Sequence, residues 1–211
     1  MATPYGKTKD GFEQQFGTNH LGHFLFFQLL KPTLLKSASA DFPSRVVSLS
    51  SVGHRSGEVR LDDFNFTEKD SYSPWAGYGQ AKTANIYLAN EIERRYGPQN
   101  LHATSLHPGG ISTGLQVHSP EVGQMMEKPE VVKMMKSPSQ GASTSVYAAL
   151  SEEWKHKGGK YLSNCVEMPP ADPNVDMLSG DEGYAAWAYD EEKAKKLWEK
   201  SLELVGIEGE K

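Results

Sequence analysis

Apolar and aromatic residues recur at three- and four-residue intervals from Phe12 through Phe16, His20, Phe24, Phe27 and Leu30 to Leu34. That period predicts an amphipathic helix over residues 8–36. Pro32 is expected to kink or restart it, because the proline ring removes a backbone donor. Asn19 falls inside this helix, where asparagine is a poor choice because it competes for backbone hydrogen bonds. The pattern then changes. Arg45-Val46-Val47-Ser48-Leu49-Ser50-Ser51 is short, apolar and β-branched and ends in hydroxyls, which predicts a buried strand running into a loop. Residues 53–74 are polar and irregular, a long connection of the kind that often carries function. Ala81, Ala84, Leu88 and Ile92 give an apolar face to a helix over 76–96, stopped by Gly97-Pro98.

A second strand is expected over 101–106, ending in His107-Pro108-Gly109-Gly110. Residues 111–136 are Met-rich and polar by turns and read as a mobile lid. Ser137-Pro138-Ser139-Gln140 is a capping box with proline at the first helical position, opening a helix to about residue 150. Gly159-Lys160-Tyr161-Leu162-Ser163-Asn164 reads as a third strand. A closing helix over 190–205 turns Leu197, Trp198, Leu202 and Val205 inward and a Glu/Lys-rich face outward. Strands alternating with helices imply βαβ units and a parallel sheet, hence an α/β fold in one domain.

Composition narrows the function. With 22 Lys+Arg against 27 Asp+Glu the net charge is −5, which argues against a nucleic-acid or anionic-membrane binder. Hydrophobic residues make up 37%, thin for a globular core. One cysteine, Cys165, excludes an internal disulfide and a Cys-rich zinc site. No apolar run is long enough to span a bilayer and the first residues carry no apolar signal region, so a cytoplasmic location is expected.

The chemistry gathers at strand ends, where open α/β sheets bind their ligands. Ser51 follows the first strand, Tyr78 and Lys82 lie one helical turn apart, and Pro108-Gly109 follows the second strand. A free phenol titrates near ~10, and a neighbouring ammonium lowers that value and suits it to proton transfer. Ser51 is placed to hydrogen-bond a carbonyl or carbinol oxygen, and Asn19 to hold a water that passes the proton on. Weaker patterns point elsewhere. His20 and His23 share a helix but have no ligand at metal spacing, so no metal site is expected. His54 near Ser51 suggests a serine hydrolase, yet there is no Gly-x-Ser-x-Gly elbow. Met125, Met126, Met134 and Met135 suit an adaptable apolar lid. Thr113 fits either a helix cap or a cofactor contact.

The ordered set Asn19-His20-Leu21-Gly22-His23-Phe24, Ser50-Ser51, Tyr78-Gly79-Gln80-Ala81-Lys82 and His107-Pro108-Gly109-Gly110-Ile111-Ser112-Thr113 resembles the short-chain dehydrogenase/reductase family, in its retinol-dehydrogenase-like branch. Gly141-Ala142 and Gly158-Gly159-Lys160-Tyr161-Leu162 fit as well. The resemblance implies hydride transfer between NADP(H), with NAD as the alternative, and a small carbonyl or alcohol substrate. Trp75, Leu115 and Met125 lean towards a hydrophobic one. Tyr78 is then the general acid or base, Lys82 lowers its pKa and binds the nicotinamide ribose, Ser51 polarises the substrate oxygen, and Asn19 completes the relay. With Asn19, Tyr78 and Lys82, the residues Pro108, Gly109, Ile111 and Thr113 form the cofactor side. The family pairs through the helices that hold Asn19 and Tyr78, which implies a homo-oligomer.

The family's glycine-rich phosphate turn is missing from this sequence. The chain is therefore expected to be the catalytic half of a doubly wound Rossmann-type sheet, about three strands with flanking helices, in a single incomplete domain over 1–211 with a substrate loop at 111–136. An unpaired sheet edge, marginal stability, impaired cofactor binding and self-association follow. Two further readings stand beside the enzyme: an inactive remnant or interaction module of the same fold, and a half-enzyme completed by another chain.

Overall fold

The computed structural model describes residues 1–175, 180 and 182–208. The first helix is continuous but not uniform. It opens as α1 (Gln14–Phe16), widens into a π-helical turn over Gly17–Leu21 and continues as α2 (Gly22–Ser37). It starts six residues later than its periodicity suggests, because Gly11 at φ +85° turns the chain and Lys7 bridges Glu13. The Glu13 carboxylate then caps the helix, accepting from the backbone N–H groups of Gln15 and Phe16. Pro32 neither breaks nor restarts α2, which runs through it to Ser37. Phe24 and Phe27, packed edge-on against Trp198, anchor the turns before it.

The rest follows in alternation: β1 (Ser44–Leu49), a 3₁₀ turn at Val52–Ser56, α3 (Pro74–Tyr96), β2 (Leu101–Leu106), α4 (Pro120–Met126), α5 (Pro129–Val132), α6 (Pro138–Leu150), β3 (Tyr161–Ser163), β4 (Val166–Glu167) and α7 (Glu191–Leu204). The strands form one sheet in the order β1-β2-β3-β4. β1 and β2 run parallel with Ser44 opposite Leu101 and Leu49 opposite Leu106, and β3 joins β2 in parallel. β4 adds an antiparallel return to the three strands expected. Its turn is Asn164-Cys165, both at positive φ (50° and 59°), the mirror-image geometry that suits a two-residue hairpin.

β2 is buried along its whole length, as a strand covered on both faces should be. β1 is only half-buried, not the buried strand its apolar run suggests, because it is the outermost strand. Among the described residues its outer edge has no strand partner. Val46 packs towards α2, α3 and α7 with Phe24, Leu88, Ile92 and Trp198, while Val47 packs on the opposite face with Leu106, Ala148, Trp154 and Leu162. α2, α3 and α7 thus cover one face of the sheet and α6 the other. Large apolar side chains also remain exposed: Phe26 (61%) and Leu29 (69%) on α2, and Phe42 (78%) just before β1. The 111–136 segment is not a bare loop. It folds into a 3₁₀ turn at Gly114–His118 and the short helices α4 and α5.

Candidate active site

The C-terminal ends of β1, β2 and β3 open onto a single cleft of about 590 Å³. Asn19, Ser51, Tyr78, Lys82, Pro108, Gly109, Ile111 and Thr113 all line it. These residues span 95 positions of sequence, and three structural devices bring them together.

The first device laces the end of β1 onto α3. Ser48 Oγ donates to the Asn85 carbonyl (2.9 Å) and Ser50 Oγ to the Lys82 carbonyl (2.8 Å). In return Lys82 Nζ and Asn85 Nδ2 donate to the Leu49 carbonyl, at 3.0 and 2.9 Å. The alternating serines of this strand are thus stitches to the helix that carries Tyr78. The second device is close packing of glycines. A Cβ on Gly79 would lie 2.4 Å from the Gly57 nitrogen, and one on Gly53 would lie 2.8 Å from Tyr78 Cε1. The 3₁₀ turn after Ser51 therefore lies directly on the first turns of α3. The third device is the π turn that holds Asn19. The widened turn leaves the Asn19 carbonyl to the His23 ring, whose Nδ1 lies 2.8 Å away. Such bulges recur at functional sites, and this one supplies the reason a mid-helix asparagine asks for.

Tyr78 is 4% exposed, stacks edge-on against Trp75 and lies beside Ser51 at Gly53, where a Cβ would meet both Tyr78 Cε1 (2.8 Å) and Ser51 Oγ (3.3 Å). Burial pushes its phenol above the ordinary value, and the Ser51 hydroxyl is what opposes the rise. Lys82 Nζ sits 5.7 Å from the centre of the Tyr78 ring, and burial lowers its ammonium to about 8. The expectation that Lys82 acidifies the phenol is therefore not how the site stands: burial dominates at Tyr78, and the ammonium is engaged with Leu49. Gly109 turns at φ +96° beside the cleft. Thr113 both lines the cleft and caps the following 3₁₀ turn, accepting from the Leu115 amide at 3.2 Å. Trp75, Leu115 and the four methionines form an apolar wall.

Several polar lining residues escaped sequence reasoning. His107 is 7% exposed, burial lowers its ring to about 3, and its Nδ1 has no hydrogen-bond partner. Its position just before Pro108-Gly109 was the available signal. Lys136 reaches back to the Pro108 carbonyl (3.4 Å) and lies over Gly109, a contact made by the fold of the lid that no local pattern announces. Asn164 Nδ2 (2.7 Å) and Ser163 Oγ both donate to Glu182 Oε2, joining the end of β3 to the segment before α7. Asn164, at a strand end, was legible in principle; Glu182 was not. Other patterns resolve into packing. His20 is buried against Ser201 Oγ (2.9 Å). The His54 ring contacts the carbonyl of Ser51 (2.6 Å) rather than its hydroxyl, so no Ser–His nucleophile pair forms. Among the described residues no three His, Cys, Asp or Glu side chains gather as a metal site.

No family model matches the chain. Individual proteins do. It is 48% identical over 209 residues to the short-chain dehydrogenase/reductase prx1 of Penicillium roqueforti, covering 98% of this chain and 60% of that protein. It is 37% identical over 206 residues to human retinol dehydrogenase 14, covering 97% of this chain and 55% of that protein. The crystal structure of an uncharacterized protein from Mycobacterium paratuberculosis superposes with a TM-score of 0.68 at 31% identity, over 99% of this chain and 64% of that one. The Pseudomonas aeruginosa RhlG/NADP complex shares the fold, with a TM-score of 0.53 at 19% identity over 70% of this chain and 53% of that one. The chain spans about three fifths of the length of the curated relatives it matches first. Over that span it belongs to the short-chain dehydrogenase/reductase family, with retinol dehydrogenases among its relatives.

Proposed function

We propose that the cleft interconverts a carbonyl and an alcohol by hydride transfer with a nicotinamide dinucleotide, NADP(H) in preference to NAD, on a hydrophobic small molecule in the cytoplasm. The observation that carries this reading is the placement of Ser51 beside Tyr78 beneath the apolar wall, with the Lys82 ammonium one turn along the same helix. The dinucleotide, when bound, supplies or accepts the hydride. The residues present fit its nicotinamide end. His107 Nδ1 is a buried orphan there, and Pro108, Gly109, Ile111 and Thr113 complete that wall, with Lys136 lying over Gly109. Asn19, Tyr78 and Lys82 would hold the adjoining ribose side. This sequence contains no glycine-rich turn for the phosphates.

In this reading Ser51 Oγ donates to the substrate oxygen and holds it beside Tyr78 Oη. Tyr78 gives its proton to that oxygen during reduction and takes it back during oxidation. Lys82, charged below about 8, stands 5.7 Å from the centre of the Tyr78 ring. Asn19 holds water that returns a proton from solvent. The methionines exclude water from the reacting centre and accept varied apolar shapes. The test is consumption of NADPH with a panel of apolar aldehydes and ketones, set against Tyr78→Phe. Turnover lost in that variant supports the reading. Turnover equal in the two proteins overturns it. The apolar lining of the cleft also suits a second reading, a binding module of the same fold without turnover. Calorimetric titration separates them, since a module binds apolar ligand yet leaves NADPH unconsumed.

A further inference from the structure

His54 is 0% exposed, yet every polar atom it carries is engaged. Its Nδ1 lies 2.6 Å from the Ser51 carbonyl, and its own backbone N–H donates to the same oxygen at 3.0 Å. Its Nε2 accepts the N–H of Ala185 at 2.9 Å. Its carbonyl accepts the hydroxyl of Thr83, the neighbour of Lys82 on α3, at 3.1 Å. The ring packs on Tyr161 of β3, with centroids 5.0 Å apart.

The tautomer follows from these partners. A backbone amide can only donate, so Nε2 presents its lone pair and the ring proton sits on Nδ1, pointing at Ser51. A second proton would evict Ala185, in keeping with burial lowering the ring to about 4. The ring is therefore a rigid two-ended strut. One end holds the carbonyl of Ser51, whose hydroxyl and the Tyr78 ring both border Gly53. The other holds the segment before α7. The same segment returns to α3 through Trp187 Nε1, 3.3 Å from Thr83 Oγ1.

We infer that His54 is the positioning residue of this site: as the neutral Nδ1–H tautomer it fixes Ser51 in register with Tyr78 and ties that register to the 182–189 segment that borders the cleft. The functional importance of that register rests on the proposed redox reading; the strut itself does not.

Two substitutions divide the strut. His54→Asn places an amide N–H near the Nδ1 position and can still hold Ser51, while releasing Ala185. His54→Gln reaches the Nε2 position and can still accept from Ala185, while releasing Ser51. The first measurement is the nitrogen spectrum of the His54 ring in the unmodified chain, where a protonated Nδ1 and a bare Nε2 are expected. The second is the carbon-13 signal of Tyr78 Cζ, which reports the surroundings of the phenol beside Ser51. It should stay in place in the Asn variant and shift in the Gln variant, while both lose thermal stability to a similar degree. With substrate, the Gln variant should lose about tenfold or more in kcat with little change in KM, the size of effect a small misplacement produces, and the Asn variant should stay within about twofold. A proton on Nε2 overturns the inference, and so does a Tyr78 signal that shifts equally in the two variants or in neither. The ring spectrum alone decides where both variants fail to fold. A chain that consumes no NADPH would refute the redox reading and leave the spectroscopic result standing.

Discussion

Three buried histidines make the fold acid-sensitive in a way that can be worked out from their surroundings. Burial lowers His20 to about 3, His54 to about 4 and His107 to about 3, from an ordinary value of 6.5. Their rings are 1%, 0% and 7% exposed. Because each folded value lies below the unfolded one, the unfolded chain binds more protons between them. The stability these rings allow is complete above about 6.5 and is lost as pH falls towards 3–4. From pH 7 to pH 5 each refused proton costs about 2 kcal/mol, so three cost about 6 kcal/mol, against about 5–15 kcal/mol for a whole domain. The figure does not depend on how far below pH 5 the folded values lie. Glu13 opposes it in part, since burial raises its carboxyl and the folded state gains a proton there in the acid range. Urea unfolding followed by tryptophan fluorescence at pH 7 and pH 5 measures the difference. A loss below about 2 kcal/mol, the share of a single ring, would refute the reasoning. His20→Gln should recover about a third of the loss, because it removes one titrating ring.

Replacing Tyr78 by Phe should keep the fold, since the buried ring remains, and lower carbonyl reduction by about 10²–10⁴ as expected for loss of a general acid. Alcohol oxidation should continue to rise with pH past the value of a free phenol, about 10, whereas reduction should hold level up to that value, because burial raises Tyr78. Gly79→Ala should cost about 1–3 kcal/mol by chemical denaturation, because the new methyl meets the Ser56 and Gly57 backbone. The free edge of β1 and the exposed Phe26 and Leu29 should make the chain self-associate. Light scattering across a concentration series should show it, and Phe26→Glu with Leu29→Glu should weaken it by about tenfold or more.

Most of the fold was legible because its elements carry their own punctuation. The Ser137 capping box and the Asp190 cap start α6 and α7, and β2 runs over the residues its pattern predicted. What local pattern could not supply was long-range context. β1 has the composition of an interior strand but lies at an edge, and nothing in Val46-Val47 reports which strands stand beside it. The π turn at Asn19 showed only as a residue that did not suit its helix. The short helices of the lid left no mark in its Met-rich and polar sequence, because Pro120 and Pro129 open turns too brief to leave a period. The site was legible at strand ends and in the spacing of Tyr78 and Lys82. Glu182 and Lys136 enter it from segments that only tertiary structure brings near.

The proton on Tyr78 decides which way the proposed chemistry runs most easily. Sequence spacing suggested a phenol made acidic by its lysine. Instead burial raises the phenol and lowers the ammonium, so each is driven towards its neutral form. A reluctant phenol is still an adequate donor in reduction. The alkoxide that forms there is about as basic as hydroxide, with a conjugate acid near 15.7, so the transfer is downhill even from a raised phenol. Oxidation needs the phenolate, which a dry site with one serine hydroxyl beside it holds poorly. Lys82 matters once that negative charge appears. At about 6 Å and an effective dielectric near 20, an ammonium and a phenolate attract by roughly 3 kcal/mol, which comes only as the proton leaves. Stabilisation confined to the reacting state speeds the reaction, whereas stabilisation of the resting state does not. The Leu49 carbonyl, which holds the ammonium through the uncharged interval, is therefore part of the same device as Lys82.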